Sequence, residues 1–151
     1  MFKHLLVPLD GSAFAEKALD YALSLASHYQ SKVTLFHVLP PGREDWEAEM
    51  RAEVTNIINH IREQEKCEIC DYLRAKEAEI QAQGIEVDAV VVSRPSVPEA
   101  ILKTAEEEDV DTIVMSTHGL TGIQRWLLGS VAERVSRHAS VPVLLIRSQE
   151  E

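Results

Sequence analysis

Five short apolar runs, each stopped by turn-forming residues and parted from the next by a stretch of helical period, constrain this chain more than any other feature. The runs are residues 3–9 (Lys-His-Leu-Leu-Val-Pro-Leu), 32–39 (Lys-Val-Thr-Leu-Phe-His-Val-Leu), 87–92 (Val-Asp-Ala-Val-Val-Val), 111–116 (Asp-Thr-Ile-Val-Met-Ser) and 143–146 (Val-Leu-Leu-Ile). Apolar runs of this length suit strands buried on both faces. Residues 13–29 place Leu19, Ala22, Leu23 and Ala26 at helical spacing, with Ser12 as a cap and Glu16 in the first turn. Residues 98–108 do the same with Ala100, Ile101 and Ala105, and a further helix is expected from Ser130 to about Ala139. Strands alternating with helices mean an α/β fold, a doubly wound parallel sheet of five strands with helices on both faces. At 151 residues the chain is expected to form one domain, 1–151.

Residues 44–83 contain neither Gly nor Pro, and Gly84 is expected to end them. Trp46, Met50, Val54, Ile57, Ile58 and Ile61 form a helical stripe that lapses over 62–68 and resumes at Ile69, Leu73 and Ile80. An unbroken helix of about 40 residues would be ~60 Å long. A bend, a break or a projecting end is therefore expected near 62–68. Residues 43–83 hold six Lys/Arg and eleven Asp/Glu, a net −5; a solvated helix face is the ordinary meaning, and a partner surface the other.

Charge removes whole classes of function. With 15 Lys+Arg against 25 Asp+Glu the net charge is −10, and no basic cluster stands ready to neutralise phosphates, so nucleic acid and anionic membranes are not expected partners. No apolar run approaches the roughly 20 residues that cross a bilayer. The apolar stretch near the start is too short for a secretory core. Cys67 and Cys70 lie too close to staple a domain. A cytoplasmic protein is expected. An acidic chain of this kind can still hold an anionic small molecule through backbone N–H groups.

The segment most able to do so is 116–130, Ser-Thr-His-Gly-Leu-Thr-Gly-Ile-Gln-Arg-Trp-Leu-Leu-Gly-Ser. It runs from the end of a buried strand through a glycine-rich loop to a helix start, where small residues admit a phosphate and the first N–H groups face it. Ser130 can donate its hydroxyl to a phosphate oxygen or cap the helix. Neither the phosphate loop ending in Gly-Lys-Ser/Thr nor the dinucleotide G-x-G-x-x-G is present.

The segment resembles the nucleotide-binding signature of the universal stress protein family: Gly, two residues, Gly, nine residues, Gly, then Ser or Thr. Its slots fall on Ser116, Gly119, Gly129 and Ser130, with Ser in place of the first Gly. The resemblance covers nearly the whole chain: Leu6–Ser12 is similar to the family's first strand and loop, Leu35–Val38 to its second strand, Val110–Met115 and Val141–Ile146 to its fourth and fifth. It implies a strand order 3-2-1-4-5. Strands 1 and 4 are then neighbours whose connections leave in opposite directions, and a ligand belongs over their C-terminal ends.

The resemblance also implies ATP, with Mg²⁺ allowed, as the ligand. Asp10 would lie near ribose and phosphates, or form an Asx-turn before the helix. The backbone of Val38 would read the adenine edge, and Pro8 would pack on the base. Leu9, Met115 and Val131 complete the implied contacts with Pro8, Asp10, Val38, Ser116, His118, Gly119, Gly129 and Ser130. Arg125 reads more simply as a rim charge. It further implies an antiparallel homodimer through Val143–Ile146, an apolar strand expected at a sheet edge, and a role in stress regulation. The alternatives are a nucleotide-free interaction protein and a slow ATPase.

No catalytic set stands out: G-x-S-x-G and His-Glu-x-x-His are both missing. Cys67 and Cys70 share a helix face, but two thiols are half of what a zinc ion takes, and His60 lies about 10.5 Å away along a straight helix.

Overall fold

A computed structural model describes residues 1–39, 52–118 and 128–147. Its elements are β1 (His4–Pro8), α1 (Ala13–Tyr29), β2 (Lys32–Leu39), α2 (Ala52–Ala82), β3 (Val87–Ser93), α3 (Val97–Glu107), β4 (Thr112–Ser116), α4 (Ser130–His138) and β5 (Val143–Ile146). The strands form one parallel sheet of order β3-β2-β1-β4-β5, as expected.

Two apolar layers hold it. On one face Leu5, Val7, Val33, Leu35 and Val114 meet the small residues of α1 (Ala15, Ala18, Ala22, Ala26) and Leu73 and Ile80 of α2. On the other, Leu6, Phe36, Ile113 and Met115 meet Ala100, Ile101 and Ala105 of α3 and Ala132 and Val135 of α4. The alanine-rich inner face of α1 lets that helix lie close over the middle of the sheet. The strands are nearly continuous in apolar residues because both of their faces are covered.

Local chemistry sets the element ends. Ser12 Oγ accepts the Ala15 N–H at 3.1 Å and starts α1 as a side-chain cap. Pro98 stands in the first turn of α3, where its missing N–H costs nothing. Gly84, at φ +81°, closes α2 in the left-handed conformation, its N–H donating to the Gln81 carbonyl at 2.9 Å.

The expectations for the long acidic segment are corrected in part. From Ala52 to Ala82 the helix is uninterrupted, so there is no break at 62–68; residues 44–51 lie outside the described residues. What changes along α2 is its packing. Ile57 and Ile61 are 61% and 48% exposed, whereas Leu73 and Ile80 are almost fully buried. Helical hydrogen bonding carries the helix through the lapse in the apolar stripe, and Ile69, Leu73 and Ile80 of the C-terminal half join the core on the sheet. No helix among the described residues is long and apolar enough to cross a membrane.

Candidate functional site

The last turn of every strand points to one end of the sheet, and there the layer on the α3/α4 side opens into a cleft of about 330 Å³. That is within the size range of small-molecule sites. Four segments wall it: Pro8, Leu9 and Asp10 at the end of β1; Phe36, His37 and Val38 on β2; Met115, Ser116, Thr117 and His118 after β4; and Gly129, Ser130, Val131 and Ala132 at the start of α4. Ala15, Val97 and Ile101 complete the lining. Ten of the eleven sequence-derived candidates thus meet round one cavity: Pro8, Leu9, Asp10, Val38, Met115, Ser116, His118, Gly129, Ser130 and Val131. Gly119 lies outside the described residues, as does Arg125.

The turn after β4 is braced from both sides. Thr117 N–H donates to the Ile146 carbonyl at 3.0 Å, and the Thr117 carbonyl accepts the Gly129 N–H at 2.8 Å. A Cβ on Gly129 would stand 2.7 Å from that carbonyl oxygen, so the pinch admits only glycine without a backbone shift. Ser116, the departure from the glycine signature, uses its hydroxyl to donate to the His118 carbonyl at 2.6 Å. Thr117 Oγ1 and His118 Nδ1 lie 2.9 Å apart.

One detail differs from expectation. Gly129, not Ser130, is the N-cap of α4, because its carbonyl accepts the first helical N–H, from Glu133 at 2.8 Å. Ser130 is the first helical residue and is exposed. No side-chain cap bond forms. The N–H groups of Ser130, Val131 and Ala132 therefore have no intrahelical partner and form the positive end of the helix dipole at the cleft.

Asp10 Oδ1 accepts the Ser12 N–H at 2.9 Å, which is the Asx-turn geometry. The turn fixes the carboxylate at the cleft wall. Behind it, Glu16 in the first turn of α1 accepts from Tyr72 Oη at 2.7 Å and Lys76 Nζ at 3.2 Å, tying α2 to this corner. The Tyr72 bond is the chief reason the Glu16 carboxyl sits below its ordinary range. Burial first, and Glu16 second, push the Tyr72 hydroxyl well up.

His37 is the residue that sequence reasoning missed. Its Nδ1 lies 2.6 Å from the Leu9 carbonyl; a carbonyl only accepts, so Nδ1 carries the proton. The available signal was a polar residue near the C-terminal end of a largely apolar strand. Phe36 was missed for the opposite reason, since a buried aromatic in a strand reads as core.

Among the described lining residues the ionisable groups are Asp10, His37 and His118, with no Lys or Arg. An anion here would be met by backbone donors. A second groove of about 360 Å³ between α1 and the C-terminal half of α2 has its one lysine, Lys76, engaged by Glu16 and Glu79. Cys67 and Cys70 are unpaired thiols, and no group of three metal-ligating side chains occurs among the described residues.

Fold and cleft define a doubly wound α/β protein with its cavity at the switch point between β1 and β4. The family model for universal stress proteins matches residues 1–147, and the chain belongs to the universal stress protein family. Universal stress protein YxiE of Bacillus subtilis is 32% identical, over 97% of this chain and 100% of its own length. Universal stress protein MJ0577 of Methanocaldococcus jannaschii is 31% identical, and its solved structure matches with a TM-score of 0.83 over 100% of this chain and 99% of that one. The universal stress protein of Archaeoglobus fulgidus solved in complex with dAMP is 25% identical, with a TM-score of 0.62 over 96% of this chain and 98% of that one.

Proposed function

We propose that the chain acts as one adenine-nucleotide-binding domain, with the nucleotide in the cleft between β1 and β4. The observation that carries this is the convergence of ten candidate residues, from four separate segments, on one cavity capped by the start of α4. The dAMP complex of the Archaeoglobus fulgidus relative supports an adenine nucleotide as the ligand class.

In this reading Pro8 and the apolar floor pack on the base, and the backbone of Val38 reads its edge. The N–H groups of Ser130 and Val131, with the Ser130 hydroxyl and the Gly119 loop, receive phosphate. The ligand is ATP, and Asp10 lies where ribose or a phosphate-bound Mg²⁺ would need a carboxylate. Binding would serve a stress-response regulator, with nucleotide state read by a partner.

The assembly we propose is a homodimer through β5. That strand lies at the sheet edge, and its Leu144 is 37% exposed, a combination that invites pairing with a second chain. The two unpaired thiols suit a reducing, cytoplasmic compartment.

The test is the nucleotide content of freshly purified protein, released by denaturation and separated by chromatography, alongside Gly129→Asp. The expected result is an adenine nucleotide near one per chain, lost in the variant. Neither bound nucleotide nor uptake of added ATP with Mg²⁺ would overturn the reading and leave a nucleotide-free dimer.

A further inference from the structure

The ladder between β1 and β2 stops one residue before its groups run out. Residues of β2 alternate in direction, as in any parallel pair. Lys32 N–H goes to Lys3, which leads into β1, whereas Val33 N–H goes to Glu86, which leads into β3. Further along, Phe36 is paired with Pro8 of β1, and its carbonyl accepts the Leu9 N–H at 2.8 Å. The Leu39 carbonyl faces the other way and accepts from Arg94, just beyond β3. Val38 is even-numbered like Lys32 and Phe36, so its N–H and C=O point toward β1.

In a continued ladder the Val38 N–H would donate to the Leu9 carbonyl. The register ends instead at Pro8–Phe36. The Leu9 carbonyl accepts from the His37 ring at 2.6 Å. Beyond that point the chain turns away through Asp10, held by its Asx bond to Ser12, and Gly11 at φ +82°. The main chain of Val38 is left facing the cleft that Val38 itself lines.

We propose that His37 is a positioning residue that satisfies the Leu9 carbonyl in place of Val38, ends the β1–β2 ladder, and so reserves the N–H and C=O of Val38 for the donor–acceptor edge of a purine. The role rests on the nucleotide reading above and adds to it the residue that sets base preference. An adjacent N–H and C=O on one strand match a 6-aminopurine edge, which offers a ring-nitrogen acceptor beside an amino donor. A 6-oxopurine, with a ring N–H beside a carbonyl, reverses that order and meets donor against donor.

Two variants separate this role from simple packing. His37→Asn keeps an N–H donor close to the Nδ1 position, and His37→Leu keeps the bulk without the donor. The first readout needs no nucleotide: backbone amide hydrogen exchange by NMR at Val38 and Phe36. In the native chain the Val38 amide is expected to exchange faster than the laddered Phe36 amide. In His37→Leu it becomes protected as it takes over the Leu9 carbonyl, and in His37→Asn it stays fast.

The second readout is the affinity ratio of AMP to GMP. His37→Leu should lower it roughly two- to tenfold, the share of one hydrogen bond, while His37→Asn retains it. A Val38 amide already as protected as Phe36 in the native chain, or unchanged in His37→Leu, would overturn the role of His37. Native protein that takes up neither nucleotide would overturn the binding reading itself, and the exchange data would still decide whether His37 ends the ladder.

Discussion

The two ends of the sheet use the same strands in opposite ways. Where β1, β2 and β3 begin, polar side chains satisfy one another. Thr34, fully buried, donates to Asp88 Oδ1 at 2.6 Å; its hydroxyl has one proton, so the His4 Nε2 at 2.8 Å donates to it. Lys32 Nζ closes the set on Asp88 Oδ2 at 2.7 Å. Where the strands finish, backbone groups of β2 and α4 face a cleft instead. The His4, Thr34, Asp88 and Lys32 groups are spent on each other and serve as scaffold; an end that holds backbone groups in place without pairing them is ready for a ligand.

Several changes would break or sharpen that contrast. Phe36→Ala removes the largest fully buried side chain among the described residues, at the floor of the open end. It should cost ~3–5 kcal/mol of stability in denaturant unfolding. Thr34→Val at the closed end leaves Asp88 and His4 short of a partner and should cost ~1–3 kcal/mol, with nucleotide affinity unchanged by titration calorimetry. Gly129→Ala does the converse. Its Cβ forces the Thr117 carbonyl away, so adenine-nucleotide affinity should fall about tenfold, with a smaller change in stability.

The smallest effect is one of pH. Burial raises the Asp88 carboxyl, but hydrogen bonds from Lys32 and Thr34 outweigh it and hold the group below its ordinary 3.8. A depressed folded value means stabilisation that is complete above 3.8 and is lost as pH falls below it. The pair is partly exposed, so the loss should be under about 1 kcal/mol. In acid titration of unfolding midpoints, the advantage of the native chain over Asp88→Asn should be constant above 3.8 and shrink as pH falls below it.

Much of this contrast was legible in the chain. The limits of β2 and β5 coincide with their apolar runs, with Pro40-Pro41-Gly42 following β2 and Pro142 preceding β5. Residues as far apart as Pro8, Val38 and Ser130 could be assigned to one crevice because the strand order puts β1 beside β4, and this order came from resemblance rather than periodicity. Three features were hidden. The continuity of α2 depends on backbone bonds that persist where the apolar stripe lapses. The cap at Gly129 depends on where the Thr117 carbonyl comes to lie. The bond from His37 to Leu9 joins residues 28 apart, through a turn whose geometry only the folded chain supplies.

The most direct measurement is chemical-shift mapping of the native protein titrated with AMP and then ATP with Mg²⁺. Saturable shifts are expected at Leu9, Val38, Ser116, Gly129 and Val131, with His4, Thr34 and Asp88 unmoved. Shifts confined to the closed end, or none at all, would contradict it.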